Sequence, residues 1–282
     1  MRRPSPPGRA FNDRTVIVTG ASAGIGAACA RRFAEEGANV VIVARGKTEL
    51  ERFARELGRL GPVATVAGDV ADPGVQDAIV ARAIEAFGAV HVLVNNAGFN
   101  PRGAFEAATA DALGHAVDVN LRAPMTLTRR VLPHMRRAGA GAIVNVASLA
   151  GRVPLELEVA YSATKFGLRT FTMALADELR GTGITVSAVS PGPVETEFIL
   201  GDLDHVPDIV LSQPMCTPDH VAELVIACAL DGRVERATPR MSGALATLGY
   251  VAPQVRRVLR PLFQEIGRRN KRRYAARRGQ PT

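Results

Sequence analysis

Aromatic residues and cysteine are scarce in this chain of 282 residues. It has no tryptophan, three tyrosines and three cysteines, which are Cys29, Cys216 and Cys228. An odd number of cysteines without Cys-x-x-Cys spacing argues against a disulfide framework and indicates a reducing compartment. We expect Cys29 to be buried in helix packing. The five histidines are scattered along the chain, so we predict no metal site.

Long hydrophobic runs are also missing. No uninterrupted apolar segment approaches the roughly 20 residues that a membrane-spanning helix needs. Residues 1–8 carry positive charge, but no apolar segment follows them, so we do not expect a secretory signal. We predict a disordered lead over residues 1–13 and a cytoplasmic location.

Two side chains that can perform acid–base chemistry are separated by about one helical turn. Tyr161 and Lys165 stand four residues apart in Tyr-Ser-Ala-Thr-Lys, with Ser148 upstream. On a helix this spacing puts the Lys165 ammonium beside the Tyr161 phenol. A free phenol has a pKa of about 10, and a neighbouring cation is expected to lower it. The pattern predicts an enzyme in which Tyr161 transfers a proton and Ser148 holds the oxygen of a carbonyl or alcohol. The alternative is a tyrosine and a lysine on an ordinary amphipathic helix.

A strand, a glycine-rich turn and a helix follow one another near the N-terminus. Thr15–Thr19 is β-branched and apolar, and it precedes Gly20-Ala21-Ser22-Ala23-Gly24-Ile25-Gly26. Glycines leave room for a diphosphate against backbone N–H groups, and a helix N-terminus attracts negative charge. The turn therefore predicts a dinucleotide site, although its spacing differs from the usual Gly-x-Gly-x-x-Gly. A glycine-rich turn without chemical consequence is the alternative.

The second predicted strand, residues 39–43, is not followed by the acidic residue that commonly binds the adenosine ribose. Arg45 comes next, with Lys47 nearby, and a guanidinium recognises phosphate oxygens through paired hydrogen bonds. We therefore favour NADP(H) over NAD(H). The alternative is that Arg45 is only the polar first residue of the next helix.

Strand-like and helical segments alternate through the first 230 residues. Predicted strands cover 15–19, 39–43, 63–67, 90–94, 142–147 and 184–189, and predicted helices cover 24–36, 47–60, 73–87, 110–137, 158–180 and 218–230. This alternation predicts an α/β fold with a doubly wound parallel sheet, Rossmann-like, in a single domain over residues 14–240. A C-terminal helical extension, basic and amphipathic, is predicted at 241–282. Ligands of such sheets bind beyond the carboxyl ends of the strands.

Taken in order, the motifs over roughly residues 14–230 resemble those of the short-chain dehydrogenase/reductase family, of the classical type. Residues 19–26 resemble its glycine motif, Asp69-Val70 the pair that borders the adenine, and Asn95-Asn96-Ala97-Gly98 the segment beneath the cofactor. Pro191-Gly192 with Val194 and Thr196 resembles the segment that contacts the nicotinamide carboxamide. The predicted cofactor-binding residues are Gly20, Ser22, Ala23, Gly24, Ile25, Gly26, Arg45, Asp69, Val70, Asn96, Ala97, Gly98, Tyr161, Lys165, Pro191, Gly192, Val194 and Thr196.

The catalytic Asn-Ser-Tyr-Lys set of that family matches Asn120, Ser148, Tyr161 and Lys165. The resemblance implies hydride transfer at nicotinamide C4 coupled to proton transfer by Tyr161. Ser148 would orient the oxygen, Lys165 would bind the nicotinamide ribose, and Asn120 would hold a water that connects Lys165 to solvent. A residue that bonds only to backbone is the alternative for Asn120. A homo-oligomer, dimer or tetramer, is also implied, with the long helices before Arg137 and after Glu158 as its faces.

The positive charge of the chain is concentrated at its C-terminal end. From Val251 onward, ten Lys and Arg accompany the single acidic residue Glu265, whereas the whole chain carries a net charge of +8. Apolar residues recur there at helical spacing, and Pro253 and Pro261 are expected to interrupt the helix or begin new ones. The segment is expected either to pack on its own subunit or a neighbour, or to contact a membrane surface. Nucleic-acid binding is not expected, because no reading motif is present.

The loops expected around the substrate, residues 99–105, 149–158 and 193–215, are rich in apolar side chains. They favour a lipophilic ketone or alcohol. The segment 195–215 is expected to be mobile without cofactor. The predicted function is an NADP(H)-dependent oxidoreductase that interconverts a carbonyl and an alcohol and reduces a lipophilic ketone. The alternative is a cofactor-binding, membrane-associated scaffold or regulatory protein with incidental redox activity.

Overall fold

A single parallel sheet organises the protein, whose computed structural model describes residues 10–278. Its seven strands lie in the order β3-β2-β1-β4-β5-β6-β7. The chain moves outward from β1 to β3, returns to the centre and moves outward again to β7, so the predicted doubly wound fold is confirmed. The strands are β1 Thr15–Thr19, β2 Asn39–Ala44, β3 Val63–Ala67, β4 Val92–Asn95, β5 Gly141–Val146, β6 Ile184–Pro191 and β7 Glu235–Thr238.

Helices cover both faces of this sheet. The helices are α1 Gly24–Glu35, α2 Lys47–Leu57, α3 Pro73–Phe87, α4 Ala110–Val117, α5 Ala123–Ala138, α6 Val159–Glu178, α7 Glu197–Leu200, α8 Pro218–Asp231, α9 Arg240–Val251 and α10 Pro253–Arg278. Most predicted boundaries agree with these to within three residues.

The sheet is buried on both sides, which explains the continuous apolar sequence of its central strand. All five residues of β1 are buried. Successive side chains of a strand point to opposite faces. Val16 and Val18 accordingly join one core cluster with Phe33 of α1, while Ile17 joins the other with Ile79 of α3. Cys29 lies in the first cluster and is fully buried, as predicted.

The helix predicted over residues 110–137 is in fact two helices separated by a wide π turn, Asp118–Arg122. Pro124 stands at the start of α5. Proline has no N–H with which to continue the hydrogen bonds of α4 and is tolerated in a first helical turn. The π turn carries Asn120, which is completely buried.

The residues just before Arg14 pack against the domain. Residues 1–9 of the predicted disordered lead lie outside the described residues, but residues 10–13 form a turn. Phe11 in this turn is buried, and its ring packs edge to face on Phe33 with a centroid distance of 4.8 Å. The structured domain therefore includes Phe11.

The polar character of the last strand has a structural reason. Glu235 of β7 accepts hydrogen bonds from Arg152 Nε at 3.1 Å, Arg169 Nε at 2.8 Å and Ser190 Oγ at 2.9 Å. Its side chain is almost fully buried. A carboxylate that holds two guanidinium groups thus ties β7 to β6 and α6, where other strands use apolar packing.

The C-terminal extension packs against the domain. Pro253 begins α10, as expected, whereas Pro261 lies inside that helix and does not interrupt it. Asn270 Nδ2 donates to Leu211 O at 2.9 Å, and Lys271 Nζ donates to Asp204 O at 2.8 Å and to Val206 O at 2.9 Å. These bonds fasten the C-terminal half of α10 to the segment 197–215, which we call the lid.

The lid has its own small core. Ile199, Leu203, Val206 and Leu211 are buried together, and Tyr274 of α10 packs against them. None of the helices within residues 10–278 is both long and apolar enough to cross a membrane.

Replacing Gly267 with Ala should destabilise the protein. A Cβ at this position would lie 1.7 Å from Asp208 O, so α10 must move away from the lid. Overpacking of this kind typically lowers the free energy of unfolding by about 1 to 3 kcal/mol, which chemical denaturation can measure. Gly114→Ala is the control, because Gly114 lies in α4 and nothing stands within 4 Å of its added Cβ. Gly114→Ala should raise the free energy of unfolding by about 0.5 to 1 kcal/mol. Equal effects of the two changes would contradict the proposed contact.

Candidate active site

A cavity of about 490 Å³ opens at the carboxyl ends of the central strands. The turn after β1, the residues after β4 and β5, the end of β6, helix α6 and the lid all contribute to its walls. Because every strand pairing is parallel, these strand ends meet at one edge of the sheet. That edge is where doubly wound folds bind their ligands.

The glycine turn is held against the end of β4. Asn96 Nδ2 donates to Thr19 O at 2.9 Å and to Gly20 O at 3.1 Å. Gly20 has a φ of +65°, and a Cβ there would lie 2.9 Å from Ala97 Cα. A Cβ on Gly26 would lie only 2.1 Å from Gly20 O. Glycine is therefore required at both positions for the turn to close.

Helix α1 begins at the cavity wall with its first N–H groups uncapped. Among the helices within residues 10–278, α3, α4 and α8 have a side-chain cap, from Asp72, Thr109 and Thr217, whereas α2, α5, α6, α7 and α9 have none. Helix α1 has no such cap and no acidic residue in its first turn. Free N–H groups and the positive end of the helix dipole suit an anion. The turn therefore fits the diphosphate of a dinucleotide.

Three of the four predicted catalytic side chains meet at the same cavity. Tyr161 and Lys165 project from α6, and Ser148 lies just after β5. Lys165 is buried, and its Nζ donates to Val146 O at 2.8 Å and lies 5.6 Å from the centre of the Tyr161 ring. The Ser148 hydroxyl lies near enough to the Tyr161 phenol to act on its pKa. A carbonyl oxygen placed between Ser148 and Tyr161 would meet two hydroxyl donors.

The expected lowering of the Tyr161 pKa is wrong. Burial raises the pKa of Tyr161 to about 12, and the negative charge of Glu158 adds to the increase. The Ser148 hydroxyl and the positive charge of Arg102 act in the opposite direction but do not overcome it. Burial also lowers the pKa of Lys165 to about 8. The reason for the error is that helical spacing indicates which groups are neighbours but not how completely they are desolvated.

Asn120 contacts the loop after β4. Its Nδ2 donates to Phe99 O at 2.7 Å and to Thr164 Oγ1 at 3.1 Å, and its Oδ1 accepts from Phe99 N at 2.8 Å. These bonds tie the π turn to α6 and to the loop. The water-binding role of Asn120 stays a prediction.

Most of the predicted cofactor residues line the cavity, and the others lie beyond it. Arg45 is exposed directly after β2, and Asp69 and Val70 follow β3. Asp69 Oδ1 accepts from Ala71 N at 2.9 Å. The predicted cofactor-binding and catalytic residues that line the cavity are Gly20, Ala23, Gly24, Ile25, Asn96, Ala97, Gly98, Ser148, Tyr161, Lys165, Pro191, Gly192, Val194 and Thr196. Ser22, Gly26, Arg45, Asp69, Val70 and Asn120 do not line it.

Sequence reasoning missed two parts of the cavity wall. The first is the polar group of Asn100, Arg102 and Glu158, which lies in loops expected around the substrate but was not predicted as a binding group. Glu158 lies three residues before Tyr161, a spacing that puts both on one helical face and could have revealed it. The second is the inner face of α9 and α10, including Leu245, Leu259 and Phe263. No local motif marks these residues.

Comparison with known proteins is consistent with this geometry. The family model described as short chain dehydrogenase matches residues 14–202. A rat protein named dehydrogenase/reductase SDR family member 7B is 36% identical over 195 residues, which is 67% of this chain and 60% of that protein. The chain thus spans less than two thirds of that relative. The cis-4-hydroxycyclohexanecarboxylate dehydrogenase of Sinomonas cyclohexanicum is 37% identical over 231 residues, 79% of this chain and 92% of the relative.

Solved structures with the same fold contain nicotinamide cofactors. L-sorbose reductase from Gluconobacter frateurii, complexed with NADPH and L-sorbose, has a TM-score of 0.75 and 29% identity, with 82% of this chain and 96% of that chain covered. The 3-ketoacyl-(acyl-carrier-protein) reductase from Brucella melitensis, complexed with NADH, has a TM-score of 0.74 and 32% identity, with 80% and 97% covered. With the family match over more than half of its length, the chain belongs to the short-chain dehydrogenase/reductase family and is an oxidoreductase.

Proposed function

We propose that the protein is an NADP(H)-dependent oxidoreductase that interconverts a carbonyl and an alcohol and reduces a lipophilic ketone. The observation that carries this proposal is the convergence of Tyr161, Ser148 and Lys165 on the cavity that also receives the glycine turn. When bound, the nicotinamide cofactor supplies or accepts the hydride. The uncapped start of α1 would hold its diphosphate, and the residues from Pro191 to Thr196 would lie beside its nicotinamide end.

In the reductive direction, Tyr161 would act as the proton donor. Because the pKa of Tyr161 is raised to about 12, the phenol keeps its proton at neutral pH and can donate it to a carbonyl oxygen that gains negative charge. Ser148 would orient that oxygen and stabilise its charge. Lys165 would bind the ribose hydroxyls and Asn120 would position a water, as the family resemblance implies.

The lipophilic character of the substrate is inferred from the cavity walls. Leu149 and Val153 follow β5, Phe198 belongs to the lid, and Leu245 and Phe263 come from the two C-terminal helices. A ligand that fills this space removes apolar surface from water, which stabilises the complex by roughly 25 cal/mol per Å². A ketone with an apolar body fits these walls.

The preference for NADP(H) is supported by Arg45, which is exposed at the end of β2. A guanidinium there can pair with the 2′-phosphate of the adenosine ribose. The solved relatives contain NADPH in one case and NADH in another, so they support a nicotinamide cofactor without selecting between the two.

We also propose a peripheral membrane contact through α9 and α10. Val255, Leu259 and Phe263 face the cavity, whereas Val258 and Leu262 on a neighbouring face of α10 are 78% and 57% exposed. Exposed arginines such as Arg257 accompany them. An apolar stripe beside basic residues suits an anionic lipid surface. A homo-oligomer that uses α5 and α6 is proposed from the family resemblance.

Tyr161→Phe should lower the rate of ketone reduction by about a hundredfold to ten-thousandfold, the usual contribution of a positioned proton donor. NADPH consumption measures the rate, and calorimetry should show unchanged NADPH binding. In the wild type, oxidation of the corresponding alcohol should accelerate with rising pH, because the phenolate becomes populated only toward the raised pKa of about 12. Tyr250→Phe is the matched control, since Tyr250 lies on α9 and is 57% exposed. Retained turnover in Tyr161→Phe would contradict the role.

Arg45→Asp should lower the ratio of NADPH to NADH affinity by at least about tenfold, because a hydrogen bond to a charged group contributes about 1.5 to 3 kcal/mol. Dissociation constants for both cofactors measure the ratio. Arg52→Asp on α2 changes the same charge at another exposed position and should leave the ratio near that of the wild type. Equal ratios in all three proteins would refute the assignment to Arg45.

Sedimentation with phospholipid vesicles tests the membrane contact. The wild type should bind vesicles rich in anionic lipid more strongly than zwitterionic ones, and Val258→Asp combined with Leu262→Asp should abolish the binding. Leu230→Asp is the control, because Leu230 is 56% exposed on α8, away from the basic helix. Absence of wild-type binding, or equal binding by the double variant, would rule out this contact.

A further inference from the structure

Arg102 is buried in the cavity wall with one donor group unused. Its side chain is only 5% exposed. Nε donates to Glu158 Oε1 at 3.3 Å, and Nη1 donates to Asp202 Oδ2 at 3.1 Å. Nη2 is buried as well and has no hydrogen-bond partner among the described residues. An unsatisfied buried polar group destabilises a protein, and native structures contain few of them.

Asn100, two residues before Arg102, has a hydrogen-bond acceptor without a partner. Its Nδ2 donates to Glu158 Oε1 at 3.0 Å. A carboxylate only accepts hydrogen bonds, so the amide nitrogen must face Glu158 and the amide oxygen must point elsewhere. That oxygen, Oδ1, is buried and lacks a partner within residues 10–278. The unused acceptor and the unused donor therefore belong to the two side chains that bind the same Glu158 oxygen.

The charges of the cluster indicate a neutral ligand. The single guanidinium of Arg102 is already paired with the carboxylates of Glu158 and Asp202. An additional anion would face two negative groups in a buried setting, where charges interact strongly. A ligand group that accepts a hydrogen bond from Arg102 Nη2 and donates one to Asn100 Oδ1 would satisfy both unpartnered atoms. A hydroxyl is the simplest group that does both.

The cluster is connected to the catalytic phenol by one side chain. Phe198 of the lid places its ring 4.7 Å from Arg102 Cζ and 6.2 Å, centre to centre, from the Tyr161 ring. The Phe198 side chain is 39% exposed and belongs to the four-residue helix α7. Displacement of this ring would uncover the guanidinium to a molecule that already occupies the cavity.

We propose that Asn100 and Arg102 form a subsite for a neutral hydroxyl group of the substrate, next to the carbonyl that receives a proton from Tyr161. The inference rests on the proposed function and narrows its substrate class to hydroxylated lipophilic ketones, which are reduced to diols. Glu158 acts as the positioning residue of the subsite, because it holds both Asn100 and Arg102.

Ligand binding to the NADPH-loaded enzyme tests this inference without turnover, because an alcohol cannot transfer hydride to a cofactor that is already reduced. Calorimetry would compare a vicinal and a β-spaced alkyl diol with the monoalcohol of equal chain length. At least one diol should bind about tenfold to a hundredfold more tightly, as expected for hydrogen bonds to a charged donor. Arg102→Met should remove most of this preference and leave monoalcohol affinity nearly unchanged.

Two further variants separate recognition from folding and lid closure. Asn100→Ala removes the acceptor Oδ1 together with the hydrogen bond from Nδ2 to Glu158, whereas Arg102 keeps its own bond to Glu158. This variant should lose the preference for the free diol over its methyl ether, which cannot donate. Asp202→Asn weakens the link between Arg102 and the lid but keeps the subsite, so it should retain the diol preference. If Arg102→Met does not fold, the result for Asn100→Ala still decides the matter.

Three outcomes would overturn the inference. The first is equal affinity of the wild type for diols and the monoalcohol. The second is loss of the preference in Asp202→Asn as large as in Arg102→Met, which would assign the effect to the lid. The third is tighter binding of a hydroxy acid than of the diol with the same chain length, which would indicate an anion site. Failure of the proposed function would be recognised separately, by lack of NADPH binding or by full turnover in Tyr161→Phe.

Discussion

The close contact between the ends of β1 and β4 is the constraint on which the rest of the site depends. Asn96 donates to two consecutive carbonyl groups, of Thr19 and Gly20, and Thr19 Oγ1 accepts from the N–H groups of Asn96 and Ala97. These bonds hold the glycine turn where α1 can begin without a side-chain cap. They also place the glycine turn and the residues after β4 side by side in the cavity wall. A side chain on Gly26 would collide with this junction.

Within the cavity, burial affects the pKa values of Tyr161 and Lys165 more than neighbouring charges do. Tyr161 has Lys165, Arg102 and Glu158 nearby, yet removal from water is the largest influence on its pKa, which rises to about 12. The same influence lowers the pKa of Lys165. A site that excludes water strengthens each hydrogen bond within it, so Ser148 and Tyr161 can act on a carbonyl with few groups. In the proposed reaction, the apolar walls from the lid and α10 would therefore support proton transfer by Tyr161.

Local sequence patterns were sufficient to predict the parallel sheet and the meeting of Ser148, Tyr161 and Lys165, because each depends on residues close in sequence and on the shared direction of the strands. The break at Asp118–Arg122 also had a local signal, in Pro124. Other features had none. Arg102 meets Glu158 and Asp202 across separations of 56 and 100 residues, and Gly267 meets Asp208 only through tertiary packing. The pKa of Tyr161 depends on total burial, which no single motif encodes.

Helix α10 contacts both the cavity and the lid. Its first turns line the cavity, and its later turns are bonded to the lid through Asn270 and Lys271. Any ligand that binds only when these parts are docked stabilises their docking by the same free energy. Residues of α10 that never touch a ligand can thus shift the apparent affinity of the cavity for that ligand. Evolution can retune selectivity by changes in a helix about a hundred residues after Tyr161 while the proposed catalytic groups stay untouched.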